Sequence, residues 1–121
     1  MLEEKPWQRF DPAQARRLPA TLGVYQLADE EGRLLYIGMA GAREPFGLRG
    51  RLLRHFDPAR EPNPVIRQGA RCFRYEVNLQ YTSRWLELLG RYLAQQGQLP
   101  PANQAAPWEL PPSFRKKAAS K

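Results

Sequence analysis

Gly23-Val24-Tyr25-Gln26-Leu27-Ala28, Asp29-Glu30-Glu31-Gly32 and Arg33-Leu34-Leu35-Tyr36-Ile37-Gly38 follow one another without a break. Two runs of β-forming residues flank a charged turn that closes on glycine, a pattern that predicts a hairpin with strands over 22–28 and 33–40. A turn centred between Glu30 and Glu31 sets the expected register: Leu27 faces Leu34, Tyr25 faces Tyr36, and Gly23 faces Gly38. Opposed residues share a face of the sheet, so the two tyrosines are expected side by side with the two glycines next to them. Glycines beside two phenols would leave a shallow concavity where a large ligand can approach the backbone. The plainer reading of the same residues is a cross-strand aromatic pair packed in a core.

Outward from the hairpin, Gly41, Pro45 and Gly47 mark a loop. A helix is expected over 48–56, with Leu48, Leu52 and Phe56 at i, i+4 and i+8 as its buried stripe. Arg51, Arg54 and His55 form a neighbouring stripe, so Arg51 and His55 should emerge at the edge of the helix–sheet contact. Pro58, Pro62 and Pro64 end this helix. A short helical turn near 65–69 and a third strand over 72–81 follow. Thr82 or Ser83 is expected to cap a second long helix running to about Gln96, with Trp85, Leu89, Tyr92 and Leu93 on its apolar face and Gly97 as its stop. Residues 99–112 read as proline-rich and irregular, and the end of the chain, with Arg115-Lys116-Lys117, as mobile. The order β-β-α-β-α implies an α+β fold: a small, mostly antiparallel three-stranded sheet with flanking helices. The expected division is an N-terminal extension at 1–17, a domain at 18–104, and a proline-rich, basic C-terminal tail at 105–121.

At 121 residues and 42% hydrophobic, the chain can form one domain with its own core. A single cysteine, Cys72, excludes an internal disulfide framework and multi-cysteine zinc modules, and suits a reducing compartment. No apolar run is long enough to span a bilayer, and the first residues lack a secretory signature, so the expectation is a cytoplasmic protein without a membrane partner. The net charge is +7, and fifteen of the nineteen basic residues are arginines. That balance points to a polyanionic partner, nucleic acid above all, because Arg displaces counterions and matches phosphate oxygens with a planar fork.

Arg51 and His55 at one helix edge are candidates to hold a phosphate and shuttle a proton. Glu87 is the only carboxylate on the second long helix. It is either a surface partner of Arg91 at i+4 or a ligand for a hard divalent cation, which often takes only one or two protein carboxylates. Asn103, in the proline-rich segment, could buttress such a site. His55, Cys72 and Ser83 suggest no nucleophilic triad, and no phosphate-cradling P-loop is present.

Taken together, these pieces resemble one family. Gly23-Val24-Tyr25 and Tyr36-Ile37-Gly38 look like the paired motif that names the GIY-YIG nucleases. Arg51-Leu52-Leu53-Arg54-His55-Phe56 resembles the following helix in phage homing endonucleases of that family. Pro100-Pro101-Ala102-Asn103 is similar to the end of the nuclease module in bacterial excision-repair nucleases. The resemblance covers about residues 18 to 104. It departs where many relatives carry Lys and this chain has Met39, in a longer 39–47 loop, and in a longer stretch between Glu87 and Asn103. The resemblance implies a GIY-YIG fold and a metal-dependent endonuclease that hydrolyses DNA by a one-metal mechanism, of the kind used in DNA repair. Glu87 would hold Mg²⁺ or Mn²⁺, Arg51 would stabilise the transition state, and Tyr25 or a water held by Tyr25 and Tyr36 would take the nucleophile's proton. His55 would assist as a base, and Gly38, Arg49, Arg54 and Asn103 would lie on the substrate side. The rival expectations are a catalytically silent or partner-dependent nucleic-acid-binding protein on the same fold, and a protein-interaction module whose basic face is incidental.

Overall fold

A computed structural model describes residues 2–114; the Arg115-Lys116-Lys117 tail lies outside them. The strands are β1 (Gln8–Arg9), β2 (Gly23–Ala28), β3 (Leu34–Ala40) and β4 (Cys72–Val77). The helices are α1 (Pro12–Ala15), α2 (Gly47–Arg54), α3 (Pro64–Gly69), α4 (Tyr81–Gln96) and α5 (Pro101–Gln104). Two 3-10 turns, Leu2–Glu4 and Pro107–Glu109, complete the order. Among the described residues no helix is long and apolar enough to cross a membrane.

The fold is α+β, and the sheet has four antiparallel strands in the order β1-β4-β2-β3 rather than the three expected. The added strand comes from the stretch read as an extension: Gln8 and Arg9 pair with Phe73 and Cys72. Two residues carry no alternation for a pattern to show, which is why this strand is invisible in sequence. Leu2 and Ala15 are also wholly buried, so the first residues are built into the core.

β2 lies between β3 and β4 and is buried along its whole length. Its period of two splits the core. Tyr25 and Leu27 pack with Leu48, Leu52, Ile66 and Phe73 under α2 and α3. Val24, together with Ile37 of β3, packs on the opposite side with Trp85, Leu88, Leu89 and Leu99. Gly97, at φ +78°, closes α4 in the left-handed conformation, its N–H reaching Leu93 O at 2.9 Å. At its other end α4 starts at Tyr81 and not after a Thr82 or Ser83 cap; the preceding turn is set by Asn78, whose side chain accepts from Gln80 N. The proline-rich segment is also more regular than expected, since it forms α5 and a 3-10 turn with Ala102, Ala106 and Leu110 buried.

The hairpin register is shifted by two from the expected one. Tyr25 pairs with Gly38, Leu27 with Tyr36, and Gly23 with Ala40. The cause lies at the turn. Asp29 N bonds Arg33 O, Gly32 takes φ +84°, and a bulge falls between Leu27 and Ala28, so the loop is not the even turn assumed. A shift of two preserves the parity of the faces. Tyr25 and Tyr36 therefore still share a face as diagonal neighbours, with ring centroids 6.0 Å apart.

Candidate active site

Three rings meet under α2. Tyr25, Tyr36 and His55 lie 5.6 to 6.0 Å apart between centroids, each pair tilted or edge-on. The glycine beside them leaves no hollow for a ligand. A Cβ on Gly38 would sit 2.4 Å from the Tyr25 ring carbon Cζ and 2.7 Å from the Tyr36 ring, so this glycine makes room for the phenols themselves. The expected concavity, and Gly38 as a direct substrate contact, are corrected on that ground.

The Tyr25 hydroxyl lies 2.7 Å from His55 Nε2, and His55 Nδ1 bonds the Glu61 carboxylate. Glu61 lies within the three-proline stretch after α2, between Pro58 and Pro62, and its second oxygen accepts from Asn63 N at 3.1 Å. Burial pushes the His55 pKa down to about 4, against the pull of Glu61, so the ring is neutral near pH 7. Burial is the largest influence on Glu61 and opposes its charge, but the hydrogen bonds from His55 and Asn63 N and the nearby positive charge together hold the carboxyl below its usual range. Burial also pushes the Tyr25 and Tyr36 phenols well above their ordinary values, despite Arg51. Both are protonated donors at neutral pH.

Arg51 donates to Tyr36 Oη at 3.0 Å, and Tyr36 donates to Glu109 Oε1 at 2.7 Å. A second Glu109 oxygen lies 3.8 Å from Arg51. These groups open on a cleft of about 490 Å³, lined also by Arg43, Arg54 and Trp85. A smaller recess that shares Tyr36, Arg51, Arg54 and Glu109 continues past Arg60 and Glu61. Thus Tyr36 and Arg51 face the cleft, while Tyr25 and His55 stand buried behind them.

The remaining candidates separate. Arg54 lines the cleft and is paired with Glu44 at 2.7 Å. Arg49 is turned away and donates to Leu18 O. Asn103 is buried and makes two bonds to one residue of the edge strand: Oδ1 accepts from Ile37 N at 2.9 Å, and Nδ2 donates to Ile37 O at 3.0 Å. It buttresses the strand that carries Tyr36 rather than touching the cleft. Glu87 is not among the residues that line the cleft. It points to Arg84 at 3.0 Å and Arg91 at 2.8 Å, in a network where Arg84 also holds Glu3 and Glu76. The reason is helical geometry: two residues from Trp85, which caps Ile37 O, Glu87 lies about 200° around the helix. Among the described residues no group of three or more His, Cys, Asp or Glu side chains is arranged to hold a metal ion. The carboxylates on the cleft are Glu44 and Glu109. Neither they nor Glu61 stood out in sequence, because Glu44 and Glu61 lie in loops and Glu109 in a three-residue 3-10 turn, none long enough to show a period.

A comparison with curated protein sequences gives no match. A family model does match over residues 1–95, a span that contains the hairpin, α2, Glu61 and most of α4, and ends before Asn103 and Glu109. On that match the chain belongs to the family described as Domain of unknown function (DUF7508).

Proposed function

We propose that this protein is a metal-dependent endonuclease acting on DNA, with a GIY-YIG-type site. The observation that carries the reading is the single connected cluster of Tyr36, Arg51, Tyr25 and His55 at a basic cleft. Arg51 and the Tyr36 hydroxyl already grip one carboxylate, Glu109, so they are donors arranged for an oxyanion. A scissile phosphate would take the place of Glu109 at these donors, and Arg51 would stabilise the charge that grows in the transition state.

In the hydrolysis a water oxygen bonds to phosphorus while the bond from phosphorus to the leaving oxygen breaks. Because Tyr25 is wholly buried behind Tyr36, Tyr36 would have to shift to admit the water; the water's proton would then pass to Tyr25 as the Tyr25 proton moves to His55 Nε2. The leaving oxygen is protonated from solvent. A phenol kept protonated by burial is a poor base alone; the adjacent neutral imidazole can take its proton, although burial makes that imidazole a weaker base than a free histidine. Of the expected metal ligands, Glu87 does not fit, being held by two arginines outside the cleft. Glu109 fits better: it lines the cleft, and once a phosphate replaced it at Arg51 and Tyr36 its carboxylate would be free to hold Mg²⁺ or Mn²⁺, which needs few protein carboxylates beside a phosphate. Bound there, the ion would supply Lewis-acid charge at the phosphate oxygens.

The position of Glu87 favours a second reading, a nucleic-acid-binding protein that cleaves only with a partner or not at all. Both are tested with labelled duplex, nicked, flapped and branched DNA in Mg²⁺, Mn²⁺ or chelator. Scission in metal and none in chelator is the expected result. Binding to the same DNA in Ca²⁺ with no scission in any metal would select the second reading.

A further inference from the structure

Glu61 is a buried carboxylate outside every motif considered above. Pro62 follows it, and its N–H bonds back to Asp57 O at 3.0 Å, so its backbone is held on both sides. Asn63, whose N–H donates to the other Glu61 oxygen, caps α3 and donates its side-chain amide to Ala102 O at 2.9 Å. Both carboxylate oxygens are therefore aimed by neighbours that are themselves anchored.

An ionised carboxylate can only accept, so the proton it shares with His55 sits on Nδ1. Nε2 is then the bare nitrogen, and the hydrogen bond to Tyr25 runs from the phenol to the ring. Without Glu61 the ring can adopt the other tautomer, with Nε2–H donating to the Tyr25 oxygen. That reversal would leave His55 unable to take a proton from Tyr25. We propose that Glu61 is a positioning residue that fixes His55 as the Nδ1–H tautomer, making Nε2 the acceptor for the Tyr25 proton. The proposal rests on the nuclease reading for its catalytic meaning but not for its geometry. When the proton reaches Nε2, the imidazolium faces the Glu61 carboxylate, which offsets the nearby positive charge of Arg51 and Arg54 on α2. The Tyr25 and Tyr36 phenols of β2 and β3 also pack against the ring, and Arg67 of α3 and Arg71 line a pocket that His55 borders.

His55 is the only histidine in the chain, so imidazole ¹⁵N NMR signals need no assignment. At pH 7 the wild-type ring is expected as the Nδ1–H tautomer. Glu61→Ala should shift it toward Nε2–H or a mixture, and Glu61→Gln, which keeps a neutral acceptor, should preserve it. In cleavage, Glu61→Ala should lower kcat at least tenfold with little change in KM, and Glu61→Gln should recover most of that loss. Removing the anion should also move the acid limb of the Glu61→Gln pH–rate profile down by about one unit, because imidazolium forms less readily. An Nε2–H ring in the wild type overturns the proposal, as does a Glu61→Ala protein with unchanged tautomer and kcat. If Glu61→Ala does not fold, the wild-type tautomer and the Glu61→Gln profile still decide it. Absence of any cleavage with the Nδ1–H tautomer present would sink the nuclease reading and leave the tautomer assignment standing.

Discussion

Tyr25 and His55 are thirty residues apart in the chain, yet the hydroxyl of one lies 2.7 Å from Nε2 of the other. The first comes from the central strand and the second from the end of α2. Their bond joins the sheet to the helix that supplies Arg51, so packing and chemistry share the same atoms.

Burial of the His55 ring makes stability sensitive to acid. The folded His55 pKa is lowered from 6.5 to about 4, so between those values the unfolded chain binds the extra proton. Stability should be level above pH 6.5 and fall by a few kcal/mol toward pH 4. Glu61, also lowered, adds its own loss below pH 4.5. Urea melts at pH 7.5 and pH 5 check the sign. His55→Gln should flatten the upper part of the decline, and an unchanged midpoint across that range in the wild type would contradict the buried neutral ring.

Asn103 should behave as a structural residue. β3 is an edge strand, and Asn103 covers the polar groups of Ile37 on its open side. In Asn103→Ala the carbonyl keeps Trp85 Nε1, 3.0 Å away, while the amide loses its partner. The expected cost is about 1–3 kcal/mol. DNA affinity measured well below the melting point should be unchanged. A large affinity loss without destabilisation would return Asn103 to the substrate side.

Glu87 and Glu109 should differ in the opposite sense from the family resemblance. Glu87→Gln removes half-exposed ion pairs, worth under about 1 kcal/mol, and should leave cleavage near normal. Glu109→Gln should lower cleavage tenfold or more and raise the Mg²⁺ concentration needed for half-maximal rate. The reverse pattern in metal titrations of the two folded variants would restore Glu87.

Arginines should also divide by location. Arg54 and Arg60 border the cleft and its recess, whereas Arg74 is held by Gln26 and the carbonyls of Glu3 and Lys5, with Trp7 beneath it at 4.1 Å. With three to five phosphates neutralised, log K against log salt should have a slope of about −3 to −4.5. Arg54→Ala should flatten it by about one unit and Arg74→Ala should not. The measurement is a salt titration of DNA binding in Ca²⁺. Equal effects of the two variants would count against a phosphate track along the cleft.

The legible parts of this molecule are those with a period. Alternation in the hairpin put Tyr25 and Tyr36 on one face even though the bulge at Leu27 and Ala28 displaced the register, because parity survives a shift of two. The spacing of Arg51 and His55 placed them at the edge of α2. The apolar face of α4 already implied that Glu87 points elsewhere; the family resemblance argued the other way. Glu61 reaches the site from an aperiodic, proline-flanked loop and Glu109 from a short 3-10 turn, and only the folded chain brings them to His55 and Tyr36. The first strand has two residues and carries no pattern at all.

The most direct measurement compares wild type with Arg51→Ala on labelled branched and duplex DNA in Mg²⁺, each shown to be folded by its melting curve. Arg51 lines the cleft and donates to a site tyrosine. Removing it should take about 2.7–4 kcal/mol of transition-state stabilisation, a rate loss of about a hundred- to a thousandfold. Strand scission by the wild type that disappears in chelator and falls by that factor in Arg51→Ala is the result this account predicts. Scission unaffected by Arg51→Ala, or none by the wild type on any of these substrates, would contradict it.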